Sequence, residues 1–200
     1  MIWYACYGSN MDFNRFLLYL QGGSLMINGQ IKTYRACQGD THAPRSSEPY
    51  LLQRRFYFAK QSGTWNGHGV GFISTKADRR SVTFARLYLI STLQFSHLFA
   101  VENGRLSSAI DFTLFQNNNY QDFDYNFYNR IIQINSNYQG YPILTFTNKE
   151  LLPINSPMDE YIRLISNGIK LTHNLSNQEI ASYFKKSKIG LSKNKILKLI

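Results

Sequence analysis

The chain has 200 residues, a formal net charge of +10, 44% apolar residues and 17% charged residues. That length fits one domain with a substantial core, and the composition excludes a disordered chain of the Pro-, Glu- and Lys-rich kind. Cys6, Cys37 and the four histidines show no ligand spacing, which argues against a metal site, and no apolar run reaches the roughly 18 residues of a membrane span.

In chain order, the run Ile2 to Tyr7 is short, aromatic and aliphatic, as a buried strand is. Gly8-Ser9-Asn10 ends it. From Asp12 onward, Phe13, Phe16, Leu17 and Leu20 fall at helical spacing, and Gly22-Gly23 closes the pattern. The polar stretch from Ile31 to Ser47 reads as a long irregular connection. Leu51 to Ala59, Gly69 to Ser74 and Ser81 to Ile90 read as strands, with the turn-rich segment Ser62 to His68 between the first two. Thr92 to Asn103 is a short helix with Glu102 in its last turn, where the helix dipole disfavours negative charge.

The Asn- and Tyr-rich segment Gln116 to Asn129 is expected as an exposed loop or an interaction segment. Ile131 to Ile134 and Pro142 to Thr147 are further strands, and two helices follow, Met158 to Gly168 and Ser176 to Lys185, the second opened by Ser176 and Glu179 in capping-box spacing. This order predicts an α+β fold: a small mixed or antiparallel β-barrel with peripheral helices. The domain is expected to span residues 1–184. Residues 185–200, with lysines and no acids, read as a basic C-terminal tail, either solvated or an electrostatic tether to an acidic partner. No leader pattern opens the chain, so a cytoplasmic protein with reduced thiols is expected.

A strand that breaks at Gly-Ser-Asn into a helix offers consecutive backbone N–H groups to a carboxylate or phosphate. Gly8 would supply a positive φ and close approach, and Ser9 and Asn10 donors or a cap. Equally, the segment is a plain capped turn. Glu102 is either a solvated helix-end acid or, facing an apolar pocket, a general base and acid. Trp65 by itself reads as core or as a plug of its turn, His68 as surface and Cys6 as a small core residue.

Tyr4-Ala5-Cys6-Tyr7-Gly8-Ser9-Asn10-Met11 resembles the YGSN signature of γ-glutamylcyclotransferase-like proteins. Ser62-Gly63-Thr64-Trp65, Gly69-Val70-Gly71-Phe72, Arg86-Leu87-Tyr88-Leu89-Ile90 and Val101-Glu102-Asn103-Gly104 follow in that family's order, and the closing helices around Pro157, Tyr161, Gly168 and Tyr183 extend the likeness to nearly the whole chain. It looks most like an uncharacterised bacterial branch.

The resemblance implies a cofactor-free and metal-free intramolecular aminolysis: a γ-glutamyl amine or peptide yields 5-oxoproline and a free amine. Its α-carboxylate would lie at Tyr7, Gly8, Ser9 and Asn10 beside Trp65, and Glu102 would move the protons. Two departures stand out. Leu144-Thr145 occupies a late strand where relatives carry a tyrosine, and Asn103 interrupts the acid-glycine step. The alternative is a non-catalytic module that binds a small metabolite or a peptide end in the same pocket. Nucleic acid is the least favoured partner, a membrane is not expected, and the oligomeric state is left open.

Overall fold

The structure, a computed structural model, describes residues 1–187 and 191–200. Lys188 of the basic segment therefore lies outside the described residues. A six-stranded sheet forms the centre, in the order β4 (Ser46–Leu52), β7 (Thr83–Ile90), β1 (Ile2–Cys6), β10 (Tyr141–Thr147), β9 (Arg130–Tyr138), β8 (Tyr120–Asp122). Only β1 and β10 run parallel; the other neighbours are antiparallel. Every residue of β1 is buried, as its unbroken apolar run requires of a central strand covered on both faces.

Two separate hairpins complete the β structure: β2 (Gly23–Ile27) with β3 (Gln30–Tyr34), and β5 (Phe56–Ala59) with β6 (Val70–Ile73). The barrel expected from sequence is thus an open sheet flanked by two ribbons. One physical reason is visible at the edge, where β4 carries Pro49, which has no N–H to extend a ladder.

Other boundaries differ too. The expected strand Leu51 to Ala59 is two strands, because β4 pairs with β7 while β5 pairs with β6. Within the expected irregular connection lies β3, and the β2–β3 hairpin turns at Asn28 and Gly29, both at positive φ (52° and 72°). The segment from Gln116 onward is not simply exposed. It contains β8, its aromatics Phe123, Tyr125 and Phe127 pack half-buried against the core, and Tyr128 is buried.

The helices hold the turn after β1. α1 (Phe13–Gln21) starts at Asp12, whose side chain accepts the Arg15 N–H at 2.9 Å, and ends at Gly22 with φ 75°. α2 (Thr92–Glu102) opens with a capping box between Ser91 and Gln94. α3 (Asp159–His173) runs past the expected end at Gly168. There it crosses the 3-10 turn Ser9–Met11 so closely that a Cβ on Gly168 would stand 2.4 Å from the Met11 Cβ. Gly168→Ala is expected to destabilise the fold by about 1–3 kcal/mol. Urea unfolding checks this, and a variant as stable as the parent would show that α3 can move off the turn freely.

α4 (Asn177–Lys186) has the capping box expected from Ser176 and Glu179. Where a solvated tail is expected, Lys193–Leu199 forms a short helix, α5, anchored by the fully buried Ile196. No helix among the described residues is long and apolar enough to cross a membrane.

Candidate active site

β1 delivers Tyr7 and Gly8 to the carboxyl end of the central strand, and the chain then winds through Ser9–Met11 into α1. A cavity of about 480 Å³ opens there, lined by Tyr7, Gly8, Ser9, Asn10, Trp65 and Glu102 together. Its volume suits a small molecule. Among the described residues, no protein acceptor takes the backbone N–H of Ser9 or Asn10, whereas those of Met11 and Asp12 are bonded back to Gly8 and Ser9. Two amide donors are thus left at the head of the turn. Gly8 itself has φ −111° and ψ −151°, so the positive φ expected of it does not occur. What glycine supplies is space, since a Cβ would sit 3.1 Å from the Tyr161 hydroxyl.

Glu102 ends α2. Asn10 Nδ2 donates to its Oε1 at 2.8 Å, which directly joins the turn to the helix end and offsets the unfavourable dipole there. Asn103 stitches this corner: its Nδ2 donates to the Phe99 carbonyl at 2.9 Å and its Oδ1 accepts the Tyr128 N–H at 2.9 Å. Gly104, at φ 67°, completes the helix stop. The residue that breaks the acid-glycine step is therefore the tie that carries Tyr128 to the cavity wall.

Sequence reasoning missed the cation in this wall. Arg15 is 4% exposed. Its Nε donates to Ser9 Oγ at 3.0 Å, Nη1 to the Tyr34 hydroxyl at 2.7 Å and Nη2 to the Tyr19 hydroxyl at 3.3 Å, and its guanidinium lies 5.7 Å from the Trp65 ring centre. No carboxylate of the described residues comes within salt-bridge distance of it. The available signal was an arginine on the same helical face as Tyr19, at i and i+4, where a surface helix would bury only apolar groups. Lys32 of β3 also reaches the cavity and donates to the Thr64 hydroxyl; burial holds its pKa below the ordinary lysine value. With Arg105 the cavity has three cationic side chains facing one carboxylate, so it favours an anion.

Phenols fill the rest. Tyr4, Tyr19, Tyr128 and Tyr161 line the cavity, and all have pKa values raised first by burial and further by the charge of Glu102. They are neutral hydroxyls at any ordinary pH. Thr145 and Leu144, the residues noted on the late strand, are not among the lining residues: Thr145 Oγ1 bonds the Ala5 carbonyl at 2.7 Å, and it is Phe146 of β10 that lines the cavity. Tyr128 brings a phenol there from a different segment. His68 is not among the lining residues and bonds the Ser156 carbonyl at 3.3 Å.

Cys6 does line the cavity, but burial raises its thiol to about 12, so it is no nucleophile near neutrality. Ellman's reagent at pH 8 is expected to leave Cys6 and Cys37 unmodified until denaturant is added. Fast reaction of the folded protein would contradict this burial.

The overall architecture matches three solved structures. One titled gamma-glutamyl cyclotransferase aligns over 98% of both chains with a TM-score of 0.51 and 14% identity. The chain has the γ-glutamyl cyclotransferase fold. An uncharacterised protein from Homo sapiens shares this fold over 98% of both chains, with a TM-score of 0.50 and 15% identity. YkqA from Bacillus subtilis shares it over 93% of this chain and 54% of its own, with a TM-score of 0.52 and 17% identity. In sequence, the chain is 28% identical to histone deacetylase 5 of Arabidopsis thaliana over 208 aligned positions, covering 93% of this chain but 30% of that protein. It thus spans under a third of the length of that curated relative. No protein-family model matches the chain.

Proposed function

We propose that the chain is a cyclotransferase-type enzyme that converts a γ-glutamyl amine or peptide to 5-oxoproline and a free amine. The observation that supports it most is the shared cavity in which Glu102 meets the Ser9-Asn10 turn, with buried Arg15 behind the turn and no carboxylate of the described residues within salt-bridge distance of it. In this reading the substrate's α-carboxylate takes the two free amides and the field of Arg15, the counter-charge that a buried guanidinium lacks. Trp65 and the phenols exclude water.

Mechanistically, the substrate brings its own nucleophile. Glu102 takes a proton from the α-ammonium, and the resulting amine attacks the γ-carbonyl carbon to form the five-membered ring. As the tetrahedral centre collapses, the bond from carbon to the leaving nitrogen breaks. Overall two protons leave the α-nitrogen and two reach the leaving amine, each relayed by the same carboxylate. The fixed amides need no reorganisation during this step. Candidate binding residues are Tyr7, Gly8, Ser9, Asn10 and Trp65, with Arg15 added; Glu102 is the candidate catalytic residue.

A second reading, a pocket that binds a small metabolite or modified peptide end without turnover, is supported by Lys32 and Arg105, which aminolysis does not use. A panel of γ-glutamyl amines and γ-glutamyl peptides separates the two. Formation of 5-oxoproline, detected by mass spectrometry, favours the enzyme; ligand-dependent melting with no product favours the module.

A further inference from the structure

We propose that a second groove, remote from the cavity in its lining residues, docks a short acidic peptide segment of a partner protein around one apolar side chain. It has a volume of about 620 Å³ and lies between the strand loops and the C-terminal helices. Arg55 comes from the β4–β5 turn, Arg80 from the loop before β7, Lys186 from the end of α4 and Lys193 from the start of α5. Chain segments far apart in sequence thus bring four cations to one groove. None of the four forms an ion pair among the described residues.

Two acids stand near, and both are engaged locally. Glu179 lines the groove, but its Oε2 accepts from the Ser176 amide at 2.8 Å and the Ser176 hydroxyl at 2.6 Å. Asp78, in the loop beside Arg80, accepts the Arg80 N–H at 2.9 Å and the Ser81 hydroxyl at 2.7 Å. After Glu179 the sequence has no further Asp or Glu. The surplus of positive charge here belongs to the groove, and it puts to use basic residues that the cavity leaves unexplained.

The floor decides the kind of anion. Val82 is 49% exposed and flanks Phe84 and Leu175, which are half-buried, so an apolar side chain has somewhere to sit. Phe56 and Tyr183 beneath are packed ring on ring, 5.9 Å between centroids, and are under 10% exposed. Phe84 is itself engaged by the His173 and Tyr183 rings, each 4.9 Å away between centroids, so no aromatic of the groove stands free as the stacking platform that single-stranded nucleic acid requires. Ser81, Ser182 and Gln178 add neutral hydrogen-bonding groups between the cations. A cationic rim over an apolar floor is the chemistry of acidic-motif recognition.

Fluorescence polarisation with the full chain tests this, using a fluorescein-labelled peptide Glu-Glu-Leu-Phe-Glu-Glu, its Gln-Gln-Leu-Phe-Gln-Gln counterpart and an oligothymidylate of about twelve nucleotides. The acidic peptide is expected to bind in a salt-sensitive way and the glutamine peptide far more weakly. Arg80→Glu combined with Lys186→Glu is expected to weaken it about tenfold or more, while reversal at Arg45 and Lys149, outside the groove, leaves it within about twofold. Melting curves establish that both pairs fold. No binding, equal loss in the two charge-reversed pairs, or oligothymidylate binding that outcompetes the peptide at the groove would overturn the proposal. None of these results depends on the cyclotransferase reading.

Discussion

Glu102→Gln is expected to lower the turnover of a γ-glutamyl substrate by two to four orders of magnitude, the usual range for a single general acid-base group. The substitution is well isolated. Glutamine keeps the length and the Oε1 acceptor that Asn10 Nδ2 reaches at 2.8 Å, so the turn and the end of α2 remain joined. What it loses is the ability to carry a proton. Ground-state binding depends in this proposal on the turn amides and Arg15, so the loss should fall on kcat with KM little changed. Stability should change little, because the variant removes a negative charge from the C-terminal end of α2, where the helix dipole disfavours it, and also takes that charge away from the cavity's cations, which it favours. Lost activity with an unchanged melting temperature then cannot be ascribed to unfolding. Equal turnover by parent and variant would remove Glu102 from the chemistry; no turnover of any panel substrate by the parent would leave the binding module as the reading to pursue.

The site residues legible in sequence and those that are not differ in the kind of signal they leave. Gly8-Ser9-Asn10 and Glu102 sit at ends of elements, where a break in periodicity marks them, and Trp65 is a large aromatic between turn residues. Local rules find such positions. Arg15, Tyr19, Lys32, Tyr128 and Tyr161 come from four different segments and meet only because α1, the β2–β3 hairpin and α3 fold over the turn. No local rule shows that convergence. The β2–β3 hairpin did leave a signal in Asn28-Gly29, the residue pair suited to a tight hairpin turn, but its strands are mostly exposed and lack a clear alternating pattern. Several strands in succession predict a barrel. Closure depends on hydrogen bonding across edges, and composition carries little of that information. In α5 the lysines dominate the pattern and mask the signal of Ile196, the one residue of that helix that is buried.

Arg15→Met is expected to separate stability from binding. A guanidinium that is 4% exposed with hydroxyl partners alone has given up its hydration without gaining a carboxylate at contact distance, the charge of Glu102 reaching it only across the cavity. Methionine fills similar space and carries no charge to desolvate. Replacing buried ionic groups by apolar ones of similar volume is often neutral or stabilising by about 1–4 kcal/mol, and here the gain is reduced by three hydroxyls that lose a donor. The unliganded variant should therefore be about as stable as the parent in urea. Affinity for a γ-glutamyl ligand should fall sharply, since the ligand carboxylate then enters a wall without its counter-charge; losing a buried charge partner costs about 2–5 kcal/mol, or roughly 30-fold and more in Kd. Arg15→Lys should recover only part of this, because an ammonium cannot reach Ser9, Tyr19 and Tyr34 at once. Calorimetric titration with a non-cyclising γ-glutamyl analogue, set beside urea curves, measures both quantities. A variant that binds as tightly as the parent would mean that the carboxylate sits elsewhere, and a variant that loses stability and affinity in proportion would make Arg15 part of the scaffold instead of the site. Arginine at this position makes physical sense if the cavity is built to be occupied: stability is given up in the empty protein and recovered when an anion arrives.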